Sequence, residues 1–229
     1  MTWAEKLFLA LSDGAAWTAD GGYLDRMLEH LGISVLAVAI AALIALPVGV
    51  WVGHRGSGAG WVGGIGGAAR AIPTLGLLTI LGLAFGIGLS APLIALIVLA
   101  VPSLLAGAYA GVGAVSRDVV DAARSSGYTE AQIITTVELP LAAGVLVGGV
   151  RSALLQVVAT ATLAAYVTDI GLGGYIFAGL KTRDYTDMLL GSVLVVLLAL
   201  LCELVMSAAQ RLFSRATRRE RGSNNVLTV

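Results

Sequence analysis

The feature that most limits the folds open to this chain is a series of long apolar segments separated by short polar ones. Hydrophobic residues make up 58% of the 229 residues and charged residues 12%. Soluble domains average about 25% charged residues, so this chain carries about half the usual share. Apolar runs of about 20 residues cross a bilayer as helices, because a helix satisfies its own backbone hydrogen bonds. The pattern predicts an all-α integral membrane protein.

Five segments are long and apolar enough to span the membrane. Residues 1–31 come before them as an external or interfacial segment, in which Trp3 and Phe8 share one face of a short helix. Residues 168–187 are predicted to be a loop with several glycines, and residues 213–229 to be a basic tail. The transmembrane domain is 32–212, and its predicted spans are residues 32–52, 72–89, 92–112, 141–166 and 188–212.

The distribution of basic residues predicts the orientation. Five spans place the two termini on opposite sides of the membrane, and basic residues favour the cytoplasmic side. With the C-terminus in the cytoplasm, nine basic residues lie inside and four outside. The sequence therefore predicts an external N-terminus and a cytoplasmic segment 116–140. The inside residues are Arg55, Arg70, Arg117, Arg124, Arg211, Arg215, Arg218, Arg219 and Arg221, and the outside residues are Lys6, Arg26, Lys181 and Arg183.

Composition also argues against several functional classes. The net charge is zero, so no nucleic-acid partner is expected. Cys202 is the single cysteine, which gives no disulfide framework and no metal cluster. His30 and His54 are interpreted as polar residues at the ends of spans. A membrane-embedded enzyme would need paired carboxylates, a Ser–His set or metal ligands in the spans, and none is recognised. We therefore expect no catalytic residue and no metal site.

Arg151 and Glu203 are ionisable residues inside predicted spans. Such residues are unfavourable in lipid and usually face the interior of the bundle or a partner charge. Both lie about nine or ten residues from the cytoplasmic end of their spans, which is a depth of roughly 14 Å. We predict an intramembrane ion pair between them. The alternative is that each one meets water or backbone separately.

The segment 116–140 is polar and lies between two apolar spans. Residues 116–126 are predicted to be a helix that ends at Gly127, which suits the left-handed residue after a helix. Thr129 and Gln132 have the spacing of a capping box at the start of a second helix. That helix is predicted to run to about Glu138. The segment should therefore be two short helices joined by a glycine turn.

This segment resembles the EAA motif of ABC importer permeases. The family pattern has Glu-Ala-Ala, a Gly after three further residues, and an aliphatic residue, any residue, Leu and Pro after nine more. Asp121 stands for the usual Glu and Val137 for the usual Ile. In that family the element docks on the ATP-hydrolysing subunit and transmits its closure to the spans. The matching residues are Asp121, Ala122, Ala123, Gly127, Val137, Leu139 and Pro140.

The resemblance extends over about residues 31–212 and implies a five-span type I importer permease bundle with cytoplasmic coupling helices. Residues 71–76, 159–165 and 171–177 resemble the osmoprotectant branch, whose permeases import glycine betaine, choline or carnitine. Methionine-type amino-acid permeases share the fold and the motif, and stay open as the alternative. The resemblance implies a bacterial cytoplasmic membrane location, a second permease copy or homologue, and an external solute-binding protein.

The chain lacks a recognisable nucleotide-binding loop. Residues 174–182 approach a Walker A loop, but Leu180 separates the second glycine from Lys181. We therefore expect ATP and magnesium to be bound by a separate cytoplasmic ATPase, with no cofactor in this chain. An autonomous carrier or channel is the remaining rival, although it gives no reason for the segment 116–140. The sequence singles out no substrate-binding residue.

Overall fold

The regular structure of this chain is entirely helical over the described residues. The computed structural model describes residues 2–224, with side chains through residue 213. The predicted basic tail 213–229 thus lies partly outside the described residues. The helices are α1 (Trp3–Ser12), α2 (Gly14–Thr18), α3 (Tyr23–Arg55), α4 (Ala59–Ala71), α5 (Thr74–Phe85), α6 (Ser90–Gly113), α7 (Arg117–Ser125), α8 (Glu130–Gln132), α9 (Leu139–Thr160), α10 (Gly173–Thr182) and α11 (Tyr185–Asn224).

Several of these helices are long and apolar enough to cross a membrane. Within the described residues four segments qualify, or five if the bent pair α4 and α5 is counted as one span. This architecture confirms the all-α membrane class predicted from the apolar pattern. The four segments are Gly14–Arg55, Ser90–Gly113, Glu130–Tyr166 and Tyr185–Phe213.

The predicted span 72–89 corresponds to a shorter helix. Helix α5 covers 12 residues and ends at Gly86, whose φ is +79°. At 1.5 Å per residue it is roughly 18 Å long, which is less than the ~30 Å hydrocarbon core. Helix α4 precedes it in a segment that the sequence leaves unassigned, because five of its 13 residues are glycine and glycine disfavours helix.

Part of the predicted loop 168–187 is a helix instead. Helix α10 begins at Gly173 and ends before Arg183, which has a left-handed φ of 59°. Its glycines permit close packing: Gly179 is buried, and a Cβ there would lie 2.7 Å from the carbonyl oxygen of Asp184. The loop prediction is wrong for these residues because close tertiary packing outweighs the low helix propensity of glycine.

The chain divides into two compact units. The first unit contains the residues up to Ile40, Ile72–Ala100 and Leu154–Cys202. Its core is made mainly of aliphatic side chains, since Leu78, Leu172 and Leu194 are almost completely buried. Two polar side chains of this unit, His30 and Ser34, are also buried.

The second unit contains Ala41–Ala71, Val101–Ala153 and the residues from Glu203 onward. Small residues let its helices approach closely, as is common in membrane proteins. A Cβ on Gly49 of α3 would lie 2.6 Å from the Cβ of Ala108 in α6. A Cβ on Gly107 of α6 would lie 2.7 Å from the Cα of Gly149 in α9. This unit holds the polar segment 116–140 and the functional candidates described next.

Candidate functional site

The first half of the segment 116–140 is helix α7, and it ends in a glycine turn. Gly127 has a φ of +88°, as the sequence predicts for this position. Its N–H donates to the carbonyl of Arg124 at 3.1 Å, and the N–H of Tyr128 donates to that of Ala123 at 3.2 Å. This is the Schellman pattern of helix termination. The left-handed backbone at Gly127 disfavours any residue with a Cβ.

The second half of the segment begins with the predicted capping box. The Thr129 hydroxyl accepts from the Gln132 N–H at 3.3 Å, and the Gln132 side chain accepts from the Thr129 N–H at 2.8 Å. Helix α8 then starts at Glu130. Both ends of the turn are therefore closed by local hydrogen bonds, which fix the geometry between α7 and α8.

A π-helical turn, Ile133–Glu138, links α8 to α9 without a break in the helix. The sequence predicts a helix ending near Glu138, whereas the chain stays helical through Pro140. Proline has no N–H and its ring clashes with the carbonyl four residues earlier, here that of Thr136. The wider turn accommodates this, since Leu139 donates to the carbonyl of Ile134, five residues back.

The segment has a small apolar core of its own. Val115, Val120 and Ile133 are buried against one another, and Ala123 and Leu141 pack on them. Ile133 is fully buried and Val120 nearly so. This core holds α7 against Ile133, the residue that follows α8, so the segment is a folded element and not an ordinary solvated loop.

The motif residues differ in their exposure, and Ala123 is the one that packs on this core. Ala123, Val137 and Leu139 are half-buried, whereas Asp121, Ala122 and Pro140 are exposed. Two large side chains next to the exposed group, Val119 and Tyr128, are 43% and 46% exposed. The structure thus leaves an apolar and acidic surface on α7 and its turn, made of Val119, Asp121, Ala122 and Tyr128, which we call the α7 surface.

Arg124 connects the two halves of the segment. Its Nε donates to Glu130 Oε1 at 2.7 Å and its Nη1 donates to Asp121 Oδ1 at 2.6 Å. The hydrogen bond with Glu130 raises the pKa of Arg124 further above its usual range. These groups are about half exposed, so solvent screens the ion pairs and their contribution to stability is small.

His54, at the end of α3, lies between two carboxylates of the segment. Its Nδ1 is 2.7 Å from Glu138 Oε2, and its Nε2 is 2.9 Å from Glu130 Oε2. Glu138 is only 1% exposed and His54 8%. The interpretation of His54 as a polar residue at the end of a span misses this arrangement, because its partners lie 76 and 84 residues further along the chain.

Arg117 binds the same helix end. Its Nη1 donates to the carbonyl of His54 at 3.0 Å, and its Nη2 lies 3.5 Å from the carbonyl of Gly53. A cation at the C-terminal end of a helix satisfies free carbonyls and opposes the negative end of the helix dipole. Gly56 follows α3 with a φ of +66°, and a Cβ there would collide with the Arg117 guanidinium.

His30 is buried in the first unit with a different set of partners. Its Nε2 donates to the carbonyl of Val158 at 2.9 Å, and its Nδ1 accepts from the N–H of Leu172 at 3.3 Å. One ring nitrogen donates and the other accepts, so the ring is neutral with its proton on Nε2. The interpretation of His30 as a polar residue at a span end is also incomplete, since the ring connects two backbone segments.

The structure brings Arg151 of α9 and Glu203 of α11 together. Arg151 Nε donates to Glu203 Oε2 at 2.8 Å, and Nη2 donates to Oε1 of the same carboxylate. Arg151 Nη1 also donates to Gln210 Oε1 at 2.9 Å, and Gln210 Nε2 donates to the carbonyl of Gly144 at 3.0 Å. The participation of Gln210 was not predicted, although its spacing of seven residues from Glu203 places both on one helix face.

No metal-binding cluster is found among the described residues. Cys202 is a buried free thiol. The functional candidates are therefore mechanical and electrostatic: a docking segment, the charged contacts that hold it to α3, and an ion pair between two long helices.

Comparison with known proteins shows that the chain is similar to permeases of described transport systems. The chain is 33% identical over 194 residues to the choline transport system permease protein OpuBB of Bacillus subtilis, covering 85% of this chain and 89% of that protein. It is 31% identical to the glycine betaine/carnitine/choline transport system permease protein OpuCB of the same organism, covering the same shares.

Solved structures and a family profile agree with these relatives. The fold resembles a chain of the inward-facing MetNI methionine ABC transporter with a TM-score of 0.73 and 25% identity, covering 88% of this chain and 99% of that one. It also matches a chain of an amino acid ABC transporter with a TM-score of 0.61 and 18% identity, covering 85% and 93%. Residues 45–219 match the profile of the binding-protein-dependent transport system inner membrane component. The chain therefore belongs to that family of ABC importer permeases.

Proposed function

We propose that this permease forms the membrane pathway of an ATP-driven importer of quaternary-ammonium osmoprotectants such as glycine betaine, choline or carnitine. The observation that carries the proposal is the segment 116–140, a folded polar element placed between two apolar helices. A channel that works alone needs no such docking surface, whereas a permease driven by a soluble partner requires one. The class of solute is supported by the relatives, which are permeases of choline and of glycine betaine/carnitine/choline transport systems.

The α7 surface is the proposed contact with a cytoplasmic ABC ATPase. Its exposed apolar side chains would fill a groove, and Asp121 would face basic groups at the rim of that groove. In the EAA-like motif, Ala122 and Ala123 keep α7 thin, and Gly127 sets the angle of the turn. Val137, Leu139 and Pro140 would pass the motion into α9, because they lie where the segment joins that helix.

The proposed orientation has this segment and the C-terminus in the cytoplasm and the N-terminus outside. The excess of basic residues on one side supports this arrangement. The corresponding location is a bacterial cytoplasmic membrane. The proposed partners are two ATPase subunits, a second copy of this permease or a homologue, and an external solute-binding protein, with ATP and magnesium bound by the ATPase.

The chain itself performs no covalent chemistry in this proposal. ATP binding would close the ATPase pair, the segments 116–140 would move with it, and access to the pathway would switch from one side to the other. A permease for amino acids of the methionine type is the second candidate, and the likeness to the methionine transporter fold favours it.

Uptake by the assembled transporter tests the proposal. The complex that co-purifies with a tagged form of this chain is reconstituted in proteoliposomes with ATP enclosed. Radiolabelled choline, glycine betaine, carnitine and methionine are then supplied with the cognate binding protein. We expect ATP-dependent accumulation of at least one quaternary ammonium compound and none of methionine.

Two results would contradict this proposal in different ways. Accumulation of methionine alone would favour the second candidate and preserve the ATP-driven mechanism. Uptake that continues undiminished without ATP or without the ATPase would reject the importer itself. A Gly113→Ala variant serves as a control for mutational damage, because a Cβ on Gly113 meets nothing within 4 Å.

A further inference from the structure

His54 occupies a position that the function described so far does not explain. It is the second-last residue of α3, yet both of its ring nitrogens contact carboxylates of the segment 116–140. We call the three residues His54, Glu130 and Glu138 the His54 clamp. All three belong to the second compact unit.

The charge state of the clamp follows from the contacts. A neutral imidazole donates from one nitrogen only, whereas the imidazolium donates from both. Nδ1 at 2.7 Å from Glu138 and Nε2 at 2.9 Å from Glu130 are both at donor distance from carboxylate oxygens, which can only accept when ionised. The arrangement is complete when His54 is protonated and both carboxylates are charged. Burying Glu138 as a carboxylate would be strongly unfavourable without such a partner.

The clamp connects two different parts of the segment to one helix end. Glu130 begins α8 and lies on the exposed side, where Arg124 also binds it. Glu138 ends the π-helical turn and is buried. His54 therefore contacts the two ends of a stretch of nine residues, and its own backbone carbonyl accepts from Arg117 at the start of α7.

We infer that His54 is a positioning residue for the proposed ATP-driven transport: the clamp passes displacement of the segment 116–140 to the end of α3. Without it, the segment is joined to the end of α3 only by the Arg117 hydrogen bonds to backbone carbonyls, and to α6 and α9 by its covalent continuation. With it, α3 moves with the segment because the His54 ring also holds two carboxylates of that segment. This inference depends on the proposed ATPase docking, and it adds a second path by which motion reaches the long helices.

Further charged groups surround the clamp. Arg117 donates to the backbone carbonyl of His54, Arg124 shares Glu130, and Arg55 stacks on the neighbouring Trp51 ring at 4.4 Å. Arg117 and Arg124 therefore extend the contacts between the end of α3 and the segment 116–140.

The test uses the intact transporter with His54→Gln and the control Arg55→Lys. An amide can reach one carboxylate but cannot carry the charge, whereas Arg55→Lys keeps the charge of the neighbouring residue, which contacts neither carboxylate. We expect His54→Gln to keep most of the ATPase activity but to move about tenfold less solute per ATP. Equal ratios in wild type and His54→Gln would overturn the inference.

A second measurement needs no solute and separates this inference from the proposed function. Amide hydrogen exchange is followed in the purified complex over residues 133–138. In His54→Gln these amides should exchange about tenfold faster than in wild type, because the buried carboxylate loses its partner. Unchanged exchange would reject the clamp even if transport succeeds, and faster exchange would support its structural part even if the choice of solute is wrong.

A further variant covers the case in which His54→Gln does not assemble. Glu130→Gln changes a side chain that is 51% exposed, so the fold should tolerate it. It removes one of the two charged contacts of His54, and we expect an intermediate loss of solute moved per ATP. A wild-type ratio in Glu130→Gln would overturn the inference.

Discussion

The two buried histidines of this chain each connect distant parts of the sequence, but they bind different kinds of partner. His30 in the first unit uses a neutral ring to join the carbonyl of Val158 and the N–H of Leu172. His54 in the second unit uses both nitrogens to hold the carboxylates of Glu130 and Glu138. His30 thus joins two backbone groups, which substitutions elsewhere leave in place, whereas His54 joins two side chains that a single substitution can remove. The difference teaches that a buried histidine can connect the backbone in one unit and charged side chains in the other.

Removal of Glu138 should have the largest effect on stability. Glu138→Ala leaves His54 with one carboxylate and opens a buried space, and breaking such a buried pair costs about 3–5 kcal/mol of unfolding free energy. Glu138→Gln should cost less, because the amide still accepts a hydrogen bond. Equilibrium unfolding of the purified permease in a denaturing detergent measures both variants. A loss below about 1 kcal/mol for Glu138→Ala would show that the charge of the clamp is not buried as described.

Reversal of the Arg151–Glu203 pair should come next. Arg151→Glu or Glu203→Arg places two like charges at hydrogen-bond distance, and we expect each to lower uptake by at least about tenfold. The double variant restores opposite charges and should recover much of the loss. Uptake that is no better in the double variant than in the singles would mean that the pair does not act as a unit. The contributions of Arg151 and Glu203 to function would then be independent of each other, unlike those of the histidines and their partners.

Replacement of His30 should give a moderate loss of stability. His30→Ala removes the partners of one buried carbonyl and one buried N–H, which costs about 2 kcal/mol in total. Unfolding free energies are compared at about pH 8, where histidine is neutral in the unfolded chain as well, so that no protonation step adds to the difference. A loss below about 0.5 kcal/mol would mean that the ring does not join the two backbone segments, and the contrast with His54 would fail.

The smallest expected loss of stability is at Gly127. Gly127→Val forces a β-branched residue to a φ of +88°, which costs about 1–2 kcal/mol. We expect the protein to insert normally but to lose ATPase binding or coupled uptake, because the strain falls on the turn of the docking segment. Co-purification of the ATPase and uptake are compared with the Gly113→Ala control. Wild-type assembly and uptake would count against the docking role of the segment.

Local signals were the most predictable part of this molecule. The glycine turn at Gly127 and the capping box at Thr129 depend on residues within a few positions of each other, so their spacing is visible in the sequence. The helices α4 and α10 were missed, because glycine-rich segments have low intrinsic helix propensity and their helical state depends on packing elsewhere.

Long-range contacts were predictable only where a physical rule, such as the cost of an unpaired charge in lipid, limited the possible partners. Arg151 and Glu203 are charged residues inside apolar runs, where each requires a partner. Their similar depth in the membrane indicates that they pair with each other. His54 gave no such signal, because it lies at the end of an apolar run, where a polar residue needs no special explanation. Glu138 did offer one: it stands between Val137 and Leu139, where a carboxylate requires a buried donor. The sequence indicates the need for that donor but not its identity.

The π-helical turn has a consequence for how the segment and α9 are aligned. Each residue of an α-helix advances about 100° around the axis, so one extra residue in a turn shifts the phase of everything after it by that angle. Ile133 at the start of the turn and Leu141 of α9 both pack on the small core of the segment, eight residues apart. Removal of a single residue from the turn would rotate one of these two side chains away from that core. The π-helical turn therefore sets the rotational alignment of α9 relative to the segment.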